Sequence, residues 1–354
     1  MESTQNSLSA SENGNSEVAL SKWQIVLALS GMVICGTLVI LIVIEVLFRA
    51  FSKPPVTWND RPRGYFIPQN AQVLTDKFYS ATKKPGTIRI AVVGDSFSFA
   101  PYMQYDDAFA KRMERWLNLN SSQPNVEVIN YGVPRYSTSH EVQVVERAIR
   151  EQADLILLQI TLNDPEIKPY RPTGLLVDEN TGNASITNPI LKHWKSMAFV
   201  ITRLFNTQSH RDYKKYFFDL FERKDTWNNF RGPLKTIVKK SSEANVALVA
   251  TVFPLFGYPV DDNYPFFPLH QKVHKLLEKL SVPHLDLAEP YRGLPIERLQ
   301  VMPGVDRHPN EIGHRIAAEA IIPWLQKTKL LPSEIFPVRV VPERIGTEER
   351  RTEN

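Results

Sequence analysis

Three kinds of residue in this chain could together carry out acyl transfer: a serine after an apolar run, an aspartate–histidine pair, and hydrogen-bond donors between them. The serine is Ser96 in Gly94-Asp95-Ser96, directly after Ile88-Arg89-Ile90-Ala91-Val92-Val93. A β-branched run entering a tight turn and then a helix-like segment places that hydroxyl at the carboxyl end of a strand. Open parallel sheets bind ligands at that edge, and the N–H groups of a helix start face developing negative charge there. A serine nucleophile needs an imidazole base that is itself oriented by an acceptor. Val305-Asp306-Arg307-His308-Pro309-Asn310 offers one, because two residues of extended chain return a side chain to the same side. Each piece also has a plainer reading: Gly-Asp-Ser as an ordinary turn, Asp306 as a loop cap and His308 as a surface residue. His314, within the helix that follows, reads as structural.

The developing oxyanion of an acyl transfer needs donors, each contributing about 3–4 kcal/mol. Asn130-Tyr131-Gly132-Val133 and Thr161-Leu162-Asn163-Asp164 end the next two apolar runs. Gly132 lets a backbone N–H come close, and Asn163 supplies a side-chain amide, though both are also common turn residues.

The elements that must position these groups alternate strand and helix. Strands are expected at Ile88–Val93, Val126–Asn130, Asp154–Ile160, Ala247–Val252 and Val282–Leu287. Helices are expected at Asp107–Leu117, His140–Gln152, Arg231–Ser242, Leu269–Leu280 and Pro309–Lys327. This rhythm predicts an α/β fold, a three-layer α/β/α sandwich around a parallel sheet of about five strands. In such a sheet the four blocks share one edge. The interval from Asp164 to Asn245 is long for one crossover. It holds a polar loop (Gly174–Thr187), a helix around Leu191–Phe205 and an aromatic-basic piece around His210–Trp227, and reads either as an inserted subdomain near the active edge or as an extra packing layer.

Ahead of this domain lies Ile25 to Ile44, twenty residues with no formal charge. At about 1.5 Å per residue they span the roughly 30 Å hydrocarbon core of a bilayer. Trp23 and Phe48/Arg49 suit its interfaces. A cleaved signal peptide would have a shorter apolar region and a small-residue cleavage site, and Glu45-Val46-Leu47-Phe48-Arg49 instead continues a helical pattern. The expected organisation is a polar tail over 1–22, a transmembrane anchor over 23–49 with membrane contact through 25–48, and a proline-punctuated connector over 50–86. The domain over 87–330, with an insertion at about 165–228, and a charged tail over 331–354 complete it. Lys22 alone precedes the span while Arg49, Lys53, Arg61 and Arg63 follow it, a bias that by itself favours a cytoplasmic domain.

The net charge of +4 over 354 residues, with no basic stripe, gives no footprint for nucleic acid. The single cysteine, Cys35, excludes an intrachain disulfide and a cysteine-based metal site.

Taken together, the blocks Gly94-Asp95-Ser96, Gly132, Asn163 and Asp306/His308 resemble, in type and order, those of the SGNH hydrolases, the GDSL-type esterase/lipase superfamily. The resemblance covers about Thr87 to Lys327, and the lead-in Lys84-Pro85-Gly86-Thr87 with the apolar helix is similar to membrane-anchored bacterial members. It implies a flavodoxin-like sheet, Ser96 as nucleophile, His308 as base and Asp306 as its orienter. The oxyanion hole it implies is Ser96 N–H, Gly132 N–H and the Asn163 side chain. It implies no cofactor and no metal, an ester substrate such as an acylated glycan, and a single-pass membrane protein with its catalytic domain outside the cytoplasm, against the charge bias. Two departures stand out. Thr161-Leu162 precede Asn163 where the family commonly has a glycine, and the Asp-to-His spacing is two rather than three. An O-acyltransferase of the same fold would carry the same residues, since one acyl-enzyme serves both reactions. A catalytically silent glycan-binding module would be expected to lack one of them.

Overall fold

The computed structural model describes residues 21–51, 79–119, 125–168, 193–197, 213–303 and 306–336. The N-terminal tail, most of the connector, the polar loop at 174–187, most of the expected helix at 191–205 and the charged C-terminal tail lie outside them. The chain divides into two compact units, residues 1–55 with 173–206, and residues 56–172 with 207–354.

In the first unit, α1 (Lys22–Phe51) is thirty residues long and buries none of them. Its mean hydropathy reaches 2.8, long and apolar enough to cross a membrane. Near its end, Glu45 accepts the N–H groups of Lys195 (2.8 Å) and Ser196 (2.7 Å), while Arg49 bonds Glu45 and donates to the carbonyl of His193. An anion thus sits at the start of the helical turn 195–197, as such a turn favours. Within the span expected as an insertion, residues 173–206 belong to this unit and residues 207–228 to the second.

The second unit is built on five parallel strands in the order β2-β1-β3-β4-β5: β1 (Ile88–Val93), β2 (Val126–Asn130), β3 (Leu155–Ile160), β4 (Ala247–Val252) and β5 (His284–Asp286). This is the flavodoxin-like order, and the direction of winding reverses between β1 and β3. β3, central in the sheet, is buried at every position, which explains why it is apolar throughout but for Gln159. Helices α3 (Phe109–Leu117), α4 (Thr138–Arg150), α6 (Lys224–Glu243), α7 (Phe267–Lys279) and α9 (Glu311–Thr328) cover it. Residues 213–222 form α5, and Ala288–Tyr291 the short α8.

The sheet also buries a charged side chain. Arg89 in β1 is fully buried, and its guanidinium reaches Glu127 on β2 (2.7 Å) and the carbonyls of Ser80 (2.8 Å) and Ala81 (3.1 Å). It ties the lead-in segment to the amino end of the sheet. Removing one partner of a buried charge pair leaves the other uncompensated. Arg89→Met is therefore expected to lower unfolding free energy by about 3 kcal/mol, read as a lower urea midpoint.

The sequence places the closing helix correctly but reads the segment before it as loop. In the structure, Gln300–Met302 (β6) and Asp306–Pro309 (β7) form a small antiparallel hairpin outside the main sheet.

Candidate active site

Ser96 opens α2 (Ser96–Phe99), a single turn directly after β1. The turn is held by Asp95, whose Oδ1 accepts the N–H of Phe97 at 2.9 Å. The N–H of Ser96 itself has no acceptor among the described residues, as expected for the first residue of a helix. Two glycines make the turn fit. A Cβ on Gly94 would lie 2.3 Å from Gln159 Oε1, and one on Gly132 only 2.5 Å from the backbone nitrogen of Phe99. The Gly132 contact is backbone against backbone, so β2's loop and α2 can approach only if that residue is glycine.

β7 carries the expected base. Its period of two sends Asp306 and His308 to the same side. His308 Nε2 lies 2.8 Å from Ser96 Oγ, and His308 Nδ1 lies 2.7 Å from Asp306 Oδ1. Asp306 Oδ1 also accepts the backbone N–H of His308 at 2.9 Å, fixing the carboxylate to its own strand. A carboxylate at Nδ1 holds the proton there and leaves Nε2 to accept from the serine. Burial acts to lower the His308 pKa, but the charge and hydrogen bond of Asp306, with a further contribution from Asp95, raise it above its ordinary value. The ring also packs against Phe97, centroid to centroid 5.5 Å.

The expected oxyanion donors stand in three different situations. Ser96 N–H is free. Asn163 Nδ2 gives one hydrogen to Asp95 Oδ2 at 3.0 Å and, having two, keeps one for a ligand. Gly132 N–H is already donated to Asn130 Oδ1 at 3.0 Å, so its expected part in the hole would require it to be shared or re-aimed. Asn130 in turn donates to the carbonyl of Ser98 (2.7 Å), locking the end of β2 onto α2.

Asp95 is the residue whose importance sequence reasoning missed. Fully buried, it accepts from Phe97 N–H, Thr161 Oγ1 (2.8 Å) and Asn163 Nδ2, and so joins the serine's turn to the asparagine's. Thr161, where the family commonly differs, thereby acquires a defined role in the site, and its hydroxyl also contacts Asn163 Oδ1. Behind this link lie two more buried carboxyls, Glu141 of α4 and Asp164. Burial, and then the charges around them, raise both well above the usual carboxylate range. Nothing in the sequence marks Glu141, which sits in a helix where glutamate is normally solvated.

His314 is buried in α9, where its Nδ1 accepts the N–H of Phe109 at 3.2 Å and its ring stacks on that phenylalanine. Burial, then the positive charges of Arg112 and His308, lower its pKa to about 3, so it is neutral across the working pH range. It joins α9 to α3 and lies outside the serine's hydrogen-bond chain.

The sheet order and the placing of Ser96, Gly132, Asn163 and Asp306/His308 at one edge are those that the SGNH resemblance implies. No family model matches the sequence, and no curated protein matches it by sequence. Solved structures similar to it include a two-domain esterase active on acetylated mannans, with 13% identity over 72% of this chain and 53% of that one, and a TM-score of 0.41. An acetylxylan esterase from Geobacillus stearothermophilus is similar at 12% identity over 71% of this chain and 97% of that one, TM-score 0.43. A G-D-S-L family lipolytic protein from Desulfitobacterium hafniense is similar at 12% identity over 69% of this chain and 99% of that one, TM-score 0.39. This chain thus spans about half the length of the two-domain esterase.

Proposed function

We propose that the protein is a membrane-tethered serine esterase that removes acetyl groups from carbohydrate through an acyl-enzyme on Ser96. The observation that carries the reading is the unbroken chain from Ser96 Oγ to His308 Nε2 (2.8 Å) and from His308 Nδ1 to Asp306 (2.7 Å). Ser96 Oγ attacks the ester carbonyl carbon as His308 takes its proton. Ser96 N–H and Asn163 Nδ2 receive the negative charge that develops on the carbonyl oxygen. The C–O bond to the sugar then breaks, and His308 returns the proton to the departing sugar oxygen. Water, activated by the same imidazole, cleaves the acetyl-serine and regenerates the hydroxyl. Asp306 orients His308 throughout and stabilises its charged form. None of these steps calls on a metal or a cofactor.

A carbohydrate substrate suits the flanks of the site. Tyr102 stands close enough for burial, then the charge of Asp306, to raise its pKa, and Arg307, between the two triad residues, lies over the ring of Tyr213 at 5.4 Å. Aromatic faces beside polar edges match a sugar's CH faces and hydroxyl rim. α1 supplies the tether, and the catalytic unit lies outside the cytoplasm in this proposal, since a long domain is translocated largely regardless of flanking charge.

The test uses full-length protein in detergent, a fluorophosphonate probe and an acetylated oligosaccharide. Labelling of Ser96 with release of free acetate is the expected result. Acetyl transferred to an added glycan would make the protein an O-acyltransferase instead. No labelling of folded protein would overturn the nucleophile assignment and favour a silent glycan-binding module.

A further inference from the structure

Away from the serine, a second cluster gathers where α7 meets the end of β5. His270 and His274 are four residues apart on α7 and so share a face. Asp286, the last residue of β5, presents its carboxylate to both. His270 Nδ1 lies 3.0 Å from each carboxylate oxygen, and His274 Nε2 lies 3.2 Å from Oδ2. All three ligand atoms fall within 4.8 Å of one another. Asp286 Oδ1 also accepts the N–H of Ala288 at 2.9 Å, which sets the carboxylate's orientation before any histidine contact is counted.

The His274 contact is the informative one. At 3.2 Å from the oxygen it is within reach, yet Nε2 has no hydrogen-bond partner among the described residues. A buried ring nitrogen left without a partner, with a second imidazole and a carboxylate within 4.8 Å, is a ligand atom available to a cation. His270 is almost wholly buried and packed edge-on against Tyr264, so its ring cannot turn to water for a different partner. Separations of 3.0 and 3.2 Å are close to the ~3.3 Å ligand–ligand edge of a tetrahedral zinc site with bonds of about 2.0–2.1 Å.

We propose that His270, His274 and Asp286 bind a divalent transition-metal ion, zinc by the chemistry of two imidazoles and one carboxylate. His274 is partly exposed, and the cluster opens into a pocket also lined by Asp262, Glu289 and Arg292. Arg292 is shared by Asp262 and Glu289, so this rim remains net acidic and favours a cation. A fourth position is thus open to water. The ion would pin β5, a three-residue edge strand bonded on one side only, to the helix above it. β5 stands three strand steps from β1, or about 14 Å at ~4.8 Å per step, so the ion takes no part in ester cleavage.

Full-length protein in detergent, stripped with a chelator and titrated with zinc chloride, is expected to bind one ion per chain with a rise in Tm. Cobalt(II) in its place is expected to show the visible bands of a four-coordinate site. His274→Ala and Asp286→Asn should weaken zinc binding at least about 100-fold, and His274→Ala should keep its fluorophosphonate labelling, which reports a folded domain. Absence of a stoichiometric ion on the wild-type protein overturns the proposal. So does equal zinc affinity in wild type and a labelled His274→Ala. Should His274→Ala fail to label, the wild-type cobalt spectrum decides: four-coordinate bands support the site, and an unchanged aqueous spectrum overturns it.

Discussion

Ser96→Ala is expected to reduce kcat on an activated acetyl ester by on the order of 10⁴- to 10⁶-fold. His308→Ala should lose as much, and the double variant little more, because the two residues act as one unit. Neither change should move Tm greatly, since Ser96 and His308 are both partly exposed. The pH dependence carries a sign. His308 must be neutral to accept the serine proton, and Asp306 holds its pKa above the ordinary ~6.5. The rate constant kcat/KM should therefore rise with pH through an apparent pKa above that value, and Asp306→Asn should bring the limb down along with the rate. Stability runs the other way. A raised folded pKa stabilises most below the unfolded value, and this contribution is lost as pH climbs through the folded one. Activity and this part of the folding free energy thus oppose each other over the same interval. A pH–rate profile beside urea midpoints at the same pH values would check both.

The second large effect concerns Asn163. With Gly132 N–H engaged by Asn130, the free donors for an oxyanion are Ser96 N–H and the remaining amide hydrogen of Asn163. Asn163→Ala is expected to cost about 10²–10³ in kcat, roughly 3–4 kcal/mol, with KM little changed because the interaction strengthens only as charge develops. The same change strips a donor from buried Asp95, so a modest fall in Tm should accompany it. A loss confined to KM would place Asn163 in ground-state binding and leave the charge to Ser96 N–H alone. Steady-state kinetics with one activated ester separate the two.

How these residues could be read from sequence depends on whether their signals are local. Val92-Val93-Gly94-Asp95-Ser96 announces strand, turn and helix within a few residues, and Asp306 with His308 shows a period of two that holds in the observed strand as in an extended loop. The parallel sheet followed from alternation alone. What escaped is cooperative. Asp95 reads as a turn residue until Thr161 and Asn163, 66 and 68 positions away, are seen to donate to it. Glu141 looks like any solvated helical glutamate until α4 turns it inward. The β6–β7 hairpin was missed because its strands are three and four residues long, too short for a periodic pattern. His270 and His274 did carry a readable helical spacing. Its meaning required Asp286, which the sequence places only as the end of a short strand.

The hydrogen bond between Ser96 and His308 spans 212 positions of chain. During synthesis the serine and its turn leave the ribosome long before the histidine, and N-terminal segments begin to fold first. In the proposed mechanism the nascent chain therefore carries its nucleophile without a base until β7 is made. On that reading the chain is chemically silent in the interval, because its proposed reactive centre is written across positions 96 and 308. In that mechanism the making and docking of β7 is itself the activating event.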